Sequence, residues 1–138
     1  MTRINIEKVD SKLKLPGRKL KKLVTFIIER EGLDFDEINI IFVDDARIRE
    51  INREFLNHDY PTDVIAFDLR DDYGKVAEIY ISFETGMRQS VEYGVSFENE
   101  IARLVSHGLL HLAGYSDETE EGRDEMRRLE DGYISHFL

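Results

Sequence analysis

The run EINIIFV, from Glu37 to Val43, constrains the fold more than any other feature of the chain. It is apolar on both faces and rich in β-branched residues, which suits a central strand buried on both sides. Alternation at Ile4 and Ile6 marks an earlier strand. Between the two, Pro16 opens a segment that puts Leu20, Leu23, Val24, Ile27 and Ile28 on one helical face, and Gly32 ends it. Strand, helix and strand in this order predict a right-handed crossover with parallel pairing.

Asp44 or Asp45 caps the next helix, whose buried stripe is expected at Ile48, Ile51 and Phe55. It stops before the polar loop Asn57 to Asp63, which contains Pro61. Val64 to Leu69 and Val76 to Phe83 read as strands joined across Asp71, Asp72, Tyr73 and Gly74, a cluster that suggests a β-hairpin and makes the sheet mixed. The pattern then turns helical. A short segment around Met87 and Val91 ends at Gly94, and Ser96 caps a longer helix to about Ala113, terminated by Gly114. Thr119 can cap a last helix, with Glu120 and Glu121 at its N-terminal dipole end and Met126, Leu129, Tyr133 and Phe137 on its packed face. The expected fold is α+β, a mixed four-stranded sheet packed with about five helices. With 138 residues, 41% of them hydrophobic, and no linker or repeat, residues 1–138 read as one domain.

The chain has no cysteine, so disulfides and thiolate metal sites are excluded and any metal must be held by His, Asp or Glu. No run approaches the roughly 20 apolar residues of a membrane span, and the N-terminus lacks an apolar signal core, so a soluble, cytoplasmic protein is expected. A net charge of −10 argues against non-specific coating of nucleic acid. The charge is uneven, however. Lys12 to Lys22 carries six basic residues and no acidic one, a segment that could meet a polyanion or simply form a solvated helix face, whereas Asp117 to Asp131 is mostly acidic.

The segment SHGLLHLAGYSDE, Ser106 to Glu118, carries the chemistry. His107 and His111 lie four apart on the predicted core helix, so both rings project from one face, about 5 to 6 Å apart at Cβ. Gly114 lets the chain fold back, and Asp117 can then reach the same ion as a third, oxygen ligand. Three protein ligands leave a position open, which distinguishes catalytic from structural zinc. The alternative is a pair of helix histidines bonded to neighbours, with Asp117 part of an acidic helix start. Two imidazoles in an otherwise apolar helix would then need other partners, which favours the metal.

The same residues resemble the YbeY family of ribosomal RNA maturation endoribonucleases, whose signature H-G-x-L-H-L-x-G-Y-D-H stands here as His107 to Asp117. Ile51-Asn52 with Asp59 to Phe67, Glu78 to Ser82, and Met126 and Glu130 extend the likeness over nearly the whole chain. Two positions depart from it. The family's third histidine is Asp117, which keeps a zinc-competent ligand but makes the site harder and more anionic. The arginine expected after Phe55 is Leu56, leaving Arg53 and His58 as nearby groups that could substitute.

The resemblance implies a metal-dependent endoribonuclease acting on single-stranded RNA in rRNA maturation and ribosome quality control. It further implies one zinc ion, or another divalent metal, on His107, His111 and Asp117. Ribosomal RNA and ribosomal particles are the expected partners, with neither membrane nor DNA. Lys19 and Lys22 are the candidate RNA contacts within the basic segment. For acid or base work Ser82, Ser116, Glu118 and Asp63 are candidates, each equally readable as a cap or structural hydrogen-bonder. Two rivals differ in kind. A zinc peptidase needs a glutamate where Gly108 stands. A metal-stabilised ribosome-assembly factor with little or no nuclease activity fits the missing arginine and the acidic charge.

Overall fold

A computed structural model describes residues 1–137. In chain order the elements are β1 (Arg3–Lys8), α1 (Gly17–Glu31), β2 (Glu37–Val43), α2 (Asp45–Leu56), β3 (Val64–Asp68), β4 (Val76–Ser82), α3 (Phe83–Tyr93), α4 (Phe97–Leu112) and α5 (Glu120–Phe137). The four strands form one sheet in the order β1-β2-β4-β3. β1 and β4 both run parallel to β2, and β3 pairs antiparallel with β4 in a hairpin closed at the Asp71–Gly74 bridge. This is the α+β architecture expected from the element pattern.

Period-2 alternation divides the sheet's side chains between two layers. Ile38, Ile40 and Phe42 of β2, with Ala77, Ile79 and Ile81 of β4, are buried in the main core with apolar residues of α1, α4 and α5. On the other face Val43 and Ile65 join Ile48 and Ile51 of α2, with Ile41, Phe67 and Tyr80 packed against them. EINIIFV is therefore covered on both sides. α4 approaches the sheet unusually closely because Gly108 has no side chain. A Cβ there would lie 2.7 Å from Cγ2 of Ile79 and 3.4 Å from Cγ2 of Val64.

One expectation is corrected. Phe55 is 63% exposed, and Asn52 takes the inward position with Ile48 and Ile51. Phe55 meets Phe67 in an edge-to-face pair, at 5.8 Å between centroids. The buried Asn52 amide instead donates to the carbonyl of Tyr60 at 2.9 Å and fastens the polar loop. In α3, Met87 and Val91 are exposed and Gly86 and Ser90 face inward. That helix lies so close to α4 that a Cβ on Gly86 would sit 3.3 Å from Ile101 and 3.4 Å from Leu104, so even a methyl group there would make those side chains give by a few tenths of an ångström. Each hairpin strand is also one residue shorter than read. No helix among the described residues is long and apolar enough to cross a membrane.

Candidate metal centre

α4 begins at Ser96, whose hydroxyl accepts from the Asn99 amide, and ends where Gly114 takes φ +100°. The Tyr115 amide reaches back to the Leu110 carbonyl at 3.1 Å and that of Gly114 to His111 at 3.0 Å, a left-handed helix end that satisfies carbonyls of the last turn. The reversal carries residues 115–117 back along α4. α5 then starts at Glu120, with the Thr119 hydroxyl accepting from the Gly122 amide.

This geometry brings three donor atoms together. Nε2 of His107 and of His111 are 2.9 Å apart, and each lies 3.4 Å from Oδ2 of Asp117. Two ligands held about 2.0 to 2.1 Å from a tetrahedral zinc ion stand on the order of 3.3 Å apart, so the carboxylate spacing matches and the two nitrogens are slightly close. The group is half-buried and can hold a metal ion.

The other ring nitrogens fix what these atoms offer. Nδ1 of His111 faces the carbonyl of Tyr115 at 3.2 Å, and a carbonyl only accepts, so Nδ1 carries the proton. Nδ1 of His107 faces Oε2 of Glu130 at 2.7 Å and donates to it. In the neutral imidazoles both Nε2 atoms then present lone pairs. Two lone pairs and a carboxylate oxygen converge with no donor among them, an arrangement stabilised by a cation or an added proton. For His107, burial opposes a charge, but the hydrogen bond and charge of Glu130, with help from Asp63 and Asp117, outweigh it and raise the pKa.

Glu130 is buried and held in turn by Arg103, whose Nη1 donates to it at 3.1 Å while Nη2 donates to Asp131 at 2.7 Å. It thereby fixes the tautomer and the orientation of His107. In the sequence Glu130 carries part of the family resemblance and falls one turn on from Met126 on the packed face of α5, which is the signal that it points inward.

A cleft of about 190 Å³ adjoins the donors, lined by His107, Asp117, Asp63, Glu100 and Glu130 together with Arg103, Arg123, Arg127 and Gln89. Glu100 is 1% exposed, and its Oε1 has no hydrogen-bond partner among the described residues. Of the four acid–base candidates, Asp63 alone lines this cleft, accepting from Gln89 Nε2 at 3.3 Å. Ser82 is fully buried; its hydroxyl donates to Asp45 at 2.5 Å and caps α3. Ser116 and Glu118 are exposed on the ligand loop and bonded to each other, amide to hydroxyl, at 3.2 Å. Leu56 and His58 line a separate groove beside His111, with His58 stacked on Tyr60 at 5.4 Å. Lys19 and Lys22 border a recess formed with Phe26, His136 and Phe137, which shares no residue with the cleft.

Residues 5–138 match the family model described as Endoribonuclease YbeY. A relative of that name from Chloroherpeton thalassium is 39% identical over 124 residues, covering 90% of this chain and 88% of the relative. Another, from Thermoanaerobacter sp., is 40% identical over 135 residues, covering 86% and 85%. Among solved structures, the solution structure of TM1509 from Thermotoga maritima superposes with a TM-score of 0.68 at 34% identity, covering 97% of this chain and 88% of that one. The chain belongs to the endoribonuclease YbeY family.

Proposed function

We propose that this member of the family is a cytoplasmic, metal-dependent endoribonuclease. In this reading its single domain, residues 1–138, cleaves single-stranded RNA during ribosomal RNA maturation and ribosome quality control. The observation that carries the metal part is the convergence of His107, His111 and Asp117 donor atoms at 2.9 to 3.4 Å with no proton donor between them. Two neutral imidazoles and one carboxylate leave a divalent ion a net charge of about +1 and an open coordination position, a setting that suits zinc. Bound there, such an ion supplies Lewis acidity toward a phosphoryl oxygen and activates water near neutral pH.

The chain's own residues do the rest. Glu130 holds His107 in the tautomer that directs Nε2 inward, and the Tyr115 carbonyl does the same for His111. Asp63 stands in the cleft as the nearby carboxylate able to accept a proton. The basic segment, through Lys19 and Lys22, attracts the RNA chain at longer range. A peptidase is disfavoured by packing as well as by sequence: a glutamate at Gly108 would start with its Cβ 2.7 Å from Ile79.

Purified protein should carry about one zinc-type ion per chain, cleave single-stranded RNA, and lose that cleavage with a chelator. Asp117→Ala should lower metal affinity at least tenfold, whereas Asp117→His should retain the metal and favour zinc. Metal binding undiminished in Asp117→Ala would place the third ligand elsewhere. Leu56 beside His111 favours a second reading, a metal-stabilised ribosome-assembly factor with little nuclease activity. Metal-loaded protein that binds ribosomal particles and leaves RNA intact would establish it.

A further inference from the structure

The metal centre opens in two directions, and their charges differ. Toward β3, the groove beside His111 is lined by apolar and neutral groups such as Asn52, Leu56, Tyr60 and Val64, with no lysine or arginine. On the other side, the cleft that contains His107 and Asp117 gathers three arginines in a chain whose net charge is −10.

Those arginines are not equivalent. Arg103 is half-buried and spends its guanidinium on Glu130 and Asp131. Arg123 is exposed, and its Nη1 donates to the backbone carbonyl of Asp117 at 3.1 Å, a neutral partner beside the ligand loop rather than a carboxylate. Arg127 is exposed one turn further along the same face of α5 and makes no ion pair among the described residues. None of the cleft's acids forms an ion pair with Arg123 or Arg127 among the described residues. Glu130 is taken by Arg103 and His107, Asp117 faces the imidazoles, Asp63 accepts from Gln89, and burial pushes the Glu100 carboxyl up to about 7.

We propose that Arg123 and Arg127 form a phosphate-binding subsite that holds the RNA backbone on the His107 side of the metal centre, next to the phosphodiester to be cleaved. The inference rests on the endoribonuclease reading and adds to it the direction in which the strand leaves the site. A guanidinium suits this task because it stays charged and presents two parallel donors to a phosphate. Two of them four residues apart on a helix stand roughly 6 Å apart along its axis, close to the separation of adjacent phosphates in an extended strand.

The test is equilibrium binding of a fluorescent single-stranded oligoribonucleotide, by anisotropy, from 50 to 300 mM salt. The proteins compared are wild type, Arg127→Ala, Arg127→Lys, Arg123→Ala/Arg127→Ala and Lys19→Glu/Lys22→Glu, with metal content measured on each. One phosphate contact adds about 0.7 to the salt slope on a single strand, which at 0.1 M salt is about fivefold in affinity. Arg127→Ala should lose about that much with metal content unchanged, and the double variant on the order of 25-fold when compared at equal metal content, while Arg127→Lys keeps most of the slope. A wild type that binds RNA with a slope identical to the double variant's overturns the subsite and leaves the enzyme reading standing. A wild type that binds no RNA at any salt overturns both.

Discussion

Replacing Glu100 by glutamine should remove a defined share of the protein's pH dependence. The side chain sits on α4, 1% exposed, and Oε1 lacks a partner among the described residues. Removal from water pushes its carboxyl from about 4.5 up to about 7; Arg103 and Arg127 pull it down, and Asp63 and Glu130 push it further up. The native state therefore keeps a proton where the unfolded chain has released it. For this group stability is full below about pH 4.5, falls as pH rises through the range to about 7, and is level above that. At about 1.4 kcal/mol for each pH unit between the two values, the whole effect is about 3 kcal/mol, most of it falling between pH 5 and pH 8.

Glutamine cannot ionise and has nearly the same shape, so Glu100→Gln should differ little from wild type at pH 5 and be more stable by about 2 to 3 kcal/mol at pH 8. For a chain of this length that is on the order of 10 °C in Tm. Urea unfolding of both proteins in chelator, at half-unit pH steps, isolates the difference from metal binding and from the histidines. Parallel stability profiles would refute the argument, because they would mean that Glu100 is ionised, and therefore solvated, in the native state.

Gly108→Ala should cost about 1 to 2 kcal/mol in urea unfolding, since pressing a methyl group onto Ile79 outweighs the gain of about 1 kcal/mol in helix propensity; unchanged stability would mean that α4 can move off the sheet. Glu130→Gln should weaken metal binding about 10- to 100-fold in competition with a chromophoric chelator, because the hydrogen bond that orients His107 loses its charge. Equal affinity would make Glu130 a partner of Arg103 alone. Metal affinity should also fall on acidification, because protonated imidazole cannot ligate and Glu130 holds the His107 pKa above its usual value, and metal retained unchanged at pH 5 would point to other ligands.

What the sequence disclosed follows from period and spacing. EINIIFV, the hairpin and the helix ends at Gly32, Gly94 and Gly114 are local signals, and all appear where local chemistry put them. The convergence of His107, His111 and Asp117 was legible because one helix turn and one left-handed residue determine it. Phe55 misled because amphipathic spacing favours apolar positions and cannot foresee that a polar residue, Asn52, takes the inward one. The role of Glu130, and Glu100 and the cleft arginines altogether, were hidden for a related reason. Their roles depend on how α5 lies across α4, a packing between distant segments that no window of sequence contains. Ser82 looked available because a cap and a reactive hydroxyl are the same residue until its partners are seen.

The β3–β4 hairpin has a consequence for how this protein can change. Its tight closure at Asp71–Gly74 lies at one end of β3, and Asp63 and Val64, beside the metal centre, lie at the other. The turn acts as a ruler read at a distance. One residue inserted into it would shift the pairing by one, exchange the sheet faces of Val64 and Ile65, and swing Asp63 out of the cleft without touching any residue near it. Length variation in the hairpin turn therefore reaches the metal centre, although the turn itself is exposed and polar. A library of single-residue insertions, scored for metal retention, should show depletion at residues 70–74 as severe as that at the ligand loop itself.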